Sequence, residues 1–353
     1  SDLVAVYGLV SVSAGALPAS EEIDALVRAK VAERGLTPAP PCADEVFFRR
    51  VYLDVIGTLP TGYEVTQFLR DTRPDKRARC INRLLAREEF NDYWALKWGD
   101  LLRVKAEFPI NLWPNAVQAY HRWIRDAVKE NTPYDAFVRA LLTSSGSNFR
   151  VPPVNFYRAI QGREPSAIAA AVALSFMGSR IETWPEEQRV RMEAFFSRIA
   201  FKGTDEWKEE IVCWAPPETP EPLEAVFPDG VAITITPDKD PRALFAAWLT
   251  APENPWFARA IVNRVWSWFL GRGIIHEPDD IRPDNPPVNP ELLACLERQL
   301  IRYHYNLKQL FRVILNSATY QQSSVAAGPY MEAEAVFARS EERRVGKECF
   351  VPC

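Results

Sequence analysis

Apolar positions in this chain recur mostly at intervals of three and four residues, the spacing of one face of an α-helix. Ile23, Leu26, Val27 and Val31 form the first such stripe. Ser20 opens it, Glu21 and Glu22 sit in its first turn, where the helix dipole favours anions, and Gly35 closes it. FFRRVYLDVI follows, with Asp44 placed to cap it and Gly57 to stop it. Thr61-Gly62-Tyr63-Glu64 is a capping box ahead of VTQFL. RARCINRLLA, the aromatic FNDYWALKWGDLL, and AVQAYHRWIRDAV after Asn115 continue the helical pattern. Thr132-Pro133-Tyr134-Asp135 sets a cap, a first-turn proline and an acid before AFVRALL. Ala167 to Met177 reads as a close-packing helix of small residues, and Pro185 to Phe201 as another helix. Ahead of both, Thr143 to Asn155 reads as a flexible Ser/Gly connector.

The pattern changes from Trp207. EEIVCWAPPETPEPLEAVFPDGVAITITPD holds two β-rich runs and a Pro-Asp-Gly turn, which predicts a small hairpin. Asp240-Pro241 and Asn254-Pro255 then each start a helix, and two more follow from Pro290 and Leu307. The predicted fold is mainly α, two helical regions with a small β-hairpin insert between them. The predicted divisions are 1–19, 20–206, 207–239, 240–338 and 339–353.

Composition narrows the class. Of 353 residues, 47% are apolar and 25% charged, as in ordinary globular proteins. The net charge of −4 and the lack of a long basic run exclude nucleic acid as an implied partner. Eleven tryptophans predict large aromatic anchors in cores or on a ligand-facing wall. The six cysteines (Cys42, Cys80, Cys213, Cys295, Cys349, Cys353) form no C-x-x-C pair, and the three histidines (His121, His276, His304) have no metal-ligand spacing. His121 shares a stripe with Val117, Ile124 and Val128 and is expected in the core; His304 falls in an interhelical turn. No metal and no cofactor are expected.

Leu3 to Leu17 reads LVAVYGLVSVSAGAL, an apolar run ending in Ala14-Gly15-Ala16, the pattern of a secretory signal and its cleavage site. Asp2 precedes it in place of a basic region, so the chain is expected to begin inside the signal. Export to the periplasm or cell surface is the expectation, and no other run is apolar enough to span a bilayer.

The candidate chemistry lies in NPWFARAIVNRVWSWFLGRGIIHEPDDIRPDNPP, Asn254 to Pro287. Arg259, Asn263 and Ser267 lie at i, i+4 and i+8, a polar line on an apolar cylinder. A helix this apolar is buried, so Arg259 and Arg264 need partners inside. The nearest in sequence are Glu277, Asp279, Asp280 and Asp284, on a loop that Gly271 and Gly273 let fold back. Three arrangements remain open. Arg259 or Arg264 clamps Asp279 or Asp280 as a structural staple; Arg259, Asn263, Arg264, Asp284 and Asn285 bind a ligand; or Asp279, Asp280 and Asp284 hold calcium, without the alternating spacing of a known calcium loop. His276, Asp279 and Asp280 are the acid/base candidates for catalysis.

FFRRVYLDVIGTLPTGYEV with DYWALKWGDLLR resembles the planctomycete-type cytochrome-associated domain of unknown function, the PSCyt domain. NPWFARAIVNRVWSWFLGRGIIHEPDDIRPDNPPVNPELL with LKQLFRVILNSATYQQSS resembles its usual partner, the PSD domain of unknown function. Together the resemblance runs from Ile23 to Ser324. It implies a large exported protein, often carrying a cytochrome c domain or a C-x-x-C-H motif. Where many relatives place that motif, after F-L-G-x-R, this chain reads Phe176-Met177-Gly178-Ser179-Arg180 and then Ile181-Glu182-Thr183-Trp184-Pro185. Neither cysteine nor histidine is present there, so covalent haem is not expected. After Ala338, RSEERRVGKECFVPC departs from the family pattern and resembles a tail of translated assembly fragments.

The function expected from all this is a non-catalytic interaction or scaffold module beside cytochrome or polysaccharide-processing partners, with an envelope protein or polysaccharide as its partner. The alternative is a hydrolase acting on a polar, carbohydrate-like substrate at the Arg/Asp/His cluster.

Overall fold

The computed structural model describes residues 18–218, 221–325, 328 and 330–340. The predicted signal run and Cys349 and Cys353 lie outside these residues. Helices α1 (Pro18–Glu33), α2 (Asp44–Ile56), α3 (Gly62–Arg70), α4 (Lys76–Leu85), α5 (Glu88–Leu101), α6 (Pro114–Lys129) and α7 (Tyr134–Thr143) follow one another in the first half. The capping box forms as read: the Thr61 hydroxyl accepts from the Glu64 amide at 3.3 Å, and the Glu64 carboxylate accepts from the Thr61 amide at 2.8 Å. Gly57 ends α2 in the left-handed region, with φ 68°.

The second half contains α11 (Pro241–Leu249), α12 (Phe257–Leu270), α13 (Pro290–Arg302) and α14 (Leu307–Leu315). Asp240 caps α11 through the Arg242 amide. The Asn254 side chain accepts from the amides of Trp256 and Phe257, which sets the start of α12 two residues later than the proline alone suggests. Between the halves come the short α8 (Asn155–Arg158), α9 (Pro165–Val172) and α10 (Glu186–Glu193); α15 (Tyr330–Ala335) is the last helix described. The protein is mainly α with small antiparallel sheets, as the apolar periodicity predicts. Among the described residues, no helix is long and apolar enough to cross a membrane.

The two halves interlock. α1 packs on α13 and α14, and α14 on α4. Arg50 of α2 donates to the carbonyls of Tyr320 and Gln322, and the Tyr320 hydroxyl donates to Asp54 at 2.8 Å. Trp94 sits at the join, its ring 4.4 Å from Phe311 and 5.3 Å from Trp268, with its indole N–H on the Val55 carbonyl. An aromatic side chain of this kind buries about 150–250 Å², which at ~25 cal/mol per Å² contributes on the order of 4–6 kcal/mol before entropy is counted.

Four expectations are corrected here. β4 (Leu223–Val226) and β5 (Ala232–Ile235) form the hairpin around the Pro-Asp-Gly turn, but Glu210–Trp214 does not join it. That segment, β3, is the centre of a separate three-stranded sheet, between β1 (Gly146–Ser147) and β2 (Ile199–Gly203). β2 occupies the end of the segment read as helix from Pro185 to Phe201, and β1 the segment read as flexible. An isolated strand leaves both edges unpaired, and these short segments satisfy them. Asn148 is fully buried; its carboxamide oxygen accepts from the Glu210 amide and its amide nitrogen donates to the Lys208 carbonyl. His121 is half-buried on α6 and not in the core, while His304 does lie in the turn after α13. Cys42, Cys80 and Cys295 are buried free thiols and Cys213 is a half-buried one.

Candidate functional site

α12 is buried along most of its length, and Arg264, only 3% exposed, is its one buried cation. Its guanidinium is satisfied from two sides. Nε donates to Asp279 at 3.1 Å, and Nη2 also reaches that carboxylate. Nη1 donates to the Ser175 carbonyl at 2.8 Å and Nη2 to the Leu174 carbonyl at 3.2 Å. Those two carbonyls lie in a π-helical turn, Ala173–Met177, that continues α9. A π-turn shifts the hydrogen-bond register and leaves carbonyls for outside donors. Arg264 thus ties three segments together: α12, the acidic loop, and the π-turn at Ala173–Met177.

Two glycines permit this closeness. Gly178, at φ 60°, ends the π-turn; a Cβ there would meet Ile281 Cδ1 at 3.0 Å and Ala260 Cβ at 3.3 Å. Its carbonyl accepts from the Ile281 amide at 2.8 Å. A Cβ on Gly273 would stand 2.2 Å from the Ile275 carbonyl, so only glycine fits. Beside it, fully buried Asn263 accepts from the Ile275 amide and donates to the Ile275 and Pro278 carbonyls. Asn263 therefore supplies backbone partners that the loop lacks in secondary structure.

The remaining candidates separate. Arg259 pairs not with a carboxylate of the acidic loop but with Glu297 of α13, at 2.8 Å. Four residues advance a helix by about 400°, so a line at i, i+4, i+8 drifts around the cylinder by ~40° at each step. Asp280 pairs with Arg282 at 3.1 Å, and the same guanidinium reaches Asp284 at 3.3 Å. Asn285 donates to the carbonyls of His276 and Asp280. His276 Nε2 stands 3.6 Å from Glu277, too far for a hydrogen bond, and both side chains are exposed. The calcium alternative is overturned: Asp279 faces Arg264 while Asp280 and Asp284 face Arg282, so the three carboxylates do not converge. Among the described residues, no group of three or more His, Cys, Asp or Glu could hold a metal ion.

The folded loop forms one wall of a cleft of ≈ 660 Å³. Arg282, Asp284 and Asn285 line that wall, and Arg259, Trp256 and Trp184 also line the cleft. Trp184 and Trp256 lie 6.5 Å apart, and the Trp184 N–H is fixed by the Ser179 hydroxyl at 2.9 Å. Arg282, Trp184 and Trp256 were not among the sequence candidates. Arg282 stands inside the acidic run, where its sign is the visible signal. The tryptophans carry none until the fold brings residues 184 and 256 together.

Comparison with known proteins agrees with the sequence. Residues 22–200 match the family described as PSCyt2, protein of unknown function (DUF1549), and residues 241–351 match PSD1, protein of unknown function (DUF1553). No curated protein and no solved structure matches the chain.

Proposed function

Because this chain belongs to the PSCyt2 family, followed by its PSD1 region, both of unknown function, we propose that it is a non-catalytic binding module whose cleft between Trp184 and the loop 281–287 holds a polar partner. One observation carries this reading: the candidate acid/base groups are committed elsewhere. Asp279 is held by Arg264, Asp280 and Asp284 by Arg282, and His276 has no carboxylate within hydrogen-bond reach. A general acid or base must reach the proton it moves. What lines the cleft is instead a pair of indoles with Arg259, Arg282, the Arg282-paired Asp284 and the Asn285 amide, between prolines, the lining of a site that orients a ligand. The partner we propose is an envelope protein or polysaccharide, met outside the cytoplasm beside cytochrome or polysaccharide-processing proteins. The apolar run ending in Ala14-Gly15-Ala16 and the family resemblance support that placement.

The competing reading is a hydrolase of a carbohydrate-like substrate using His276, Asp279 or Asp280. Purified protein is screened for turnover of envelope polysaccharides, with and without divalent metal, and for binding of the same polymers by calorimetry. Binding without turnover that weakens in Trp184→Ala and Trp256→Ala supports the module. Turnover that disappears in His276→Ala or Asp280→Asn establishes the hydrolase instead.

A further inference from the structure

A second pocket, of ≈ 380 Å³, opens where the segment 110–113, α8 and the start of β3 meet. Arg158, Arg163, Lys208, Glu209, Glu210 and Trp113 line it. Its carboxylates already have partners. Glu210 takes Arg158 at 3.0 Å and Arg163 at 2.8 Å. Glu209, 9% exposed, accepts from the hydroxyls of Ser147 and Thr204, which hold its carboxyl below the usual range, and Arg150 stands 3.5 Å away. The uncommitted donor is the Lys208 ammonium, and Arg163, though paired with Glu210, keeps an exposed outer edge. The Arg163 side chain is 60% exposed. Lys208 has no side-chain hydrogen bond or ion pair among the described residues; its ammonium lies 4.2 Å from the Trp113 ring and 5.5 Å from the Trp207 ring.

The aromatic part is unusually open. Trp207 is 72% exposed and Trp113 36%. Their rings meet edge to face, 5.6 Å apart at 63°. Trp113 has φ 69° and ψ 153°, a region that side chains other than glycine almost never occupy. Asn111 at φ 56° and Lys208 at φ 62° are also left-handed. Such backbone conformations are strained, and they gather where a surface is held ready for a ligand. An indole pair exposed to water beside an unpaired ammonium has no evident purpose in holding the fold together.

We propose that this pocket binds an acidic saccharide, one whose sugar rings carry carboxylate or sulfate groups. The pyranose C–H face lies on the exposed Trp207 indole, and the anionic group is taken by Lys208 and the outer edge of Arg163. The two indoles form a corner and not a parallel slot. A chain bent at its glycosidic bond presents C–H faces at such differing angles, whereas a flat base prefers a slot. The lack of a basic run points the same way. The site is separate from the cleft at Trp184 and stands or falls independently of it.

Calorimetry on the full chain tests it with four ligands: a polyuronate hexamer, a sulfated oligosaccharide, a neutral glucan hexamer and a short oligothymidylate. The expected result is binding of an acidic saccharide, with the neutral glucan weaker by roughly tenfold or more. The difference between the polyuronate and the sulfated ligand tells which anionic group is preferred. Trp207→Ala and Lys208→Ala should each weaken the acidic ligand by roughly tenfold with unchanged circular dichroism. The proposal is overturned if no acidic saccharide binds, if affinity survives both substitutions, or if the oligothymidylate binds as tightly.

Discussion

Arg264 and Lys208 are both cations, and the structure treats them in opposite ways. Arg264 is buried at the centre of α12 and is fully partnered, with a carboxylate on one side and two carbonyls on the other. Lys208 stands at the surface between two indoles, on a left-handed backbone, with no carboxylate. A buried charge that is satisfied on every side fixes the positions of the segments around it. A surface charge held in a strained loop leaves its donors for something else. Removing the first should therefore damage the fold, and removing the second should damage binding only.

The largest expected effect is at Arg264. Arg264→Ala leaves Asp279 and two carbonyls without their donor, and breaking a buried pair in this way costs about 3–5 kcal/mol. Asp279→Ala should cost less, because the guanidinium keeps Leu174 and Ser175. The double variant should fall well short of the sum of the two. Urea denaturation of all four proteins measures this. Additive losses would mean that the two side chains act independently, and the contrast with Lys208 would collapse.

Trp113 sharpens the contrast in the other direction. Glycine normally destabilises relative to alanine, but at φ 69° and ψ 153° only glycine is unstrained. Trp113→Gly should therefore be more stable than Trp113→Ala by about 1–3 kcal/mol. The opposite order in thermal melts would remove the strain from the argument.

The sequence made the Arg264 region legible because burial can be inferred from an apolar helix, and a buried arginine demands a partner. Asp279, fifteen residues away, was among the nearest carboxylates, and Gly271 and Gly273 allowed the return. The two carbonyls were not legible, since a π-turn in the run 173–177 has no residue signature. Neither was the pocket at Lys208. Its parts come from Ile110, Arg158 and Lys208, and exposure of an indole is a tertiary property. The run 145–148 read as flexible because Ser and Gly dominate it, yet the edge of β3 overrides that local tendency.

Acid should probe the same pocket more gently. Hydrogen bonds from Ser147 and then Thr204 lower the Glu209 pKa, so the folded state favours the ionised form. The stability this contributes is fully present above the carboxyl's unfolded value of about 4.3 and is lost as the pH falls through the lower folded value. Glu209→Gln should be less stable than the parent at pH 7, and the gap should narrow at pH 3. A gap that stays constant between the two would show that the ionised carboxylate is not what the hydroxyls hold.

The smallest effect on stability is expected at Trp207. Its indole is mostly in water, with the Trp113 edge and the Lys208 ammonium beside it. An exposed cation–π contact is worth about 0.5–1 kcal/mol, so Trp207→Ala should shift the unfolding free energy by no more than that. The same change removes the platform on which a sugar ring would lie. Stability and binding should therefore separate at this residue, while at Arg264 they should fall together. Chemical denaturation beside calorimetry with the acidic saccharide measures both. If Trp207→Ala unfolds the protein as readily as Arg264→Ala does, the exposed indole is part of the scaffold, and the two regions differ in depth but not in purpose.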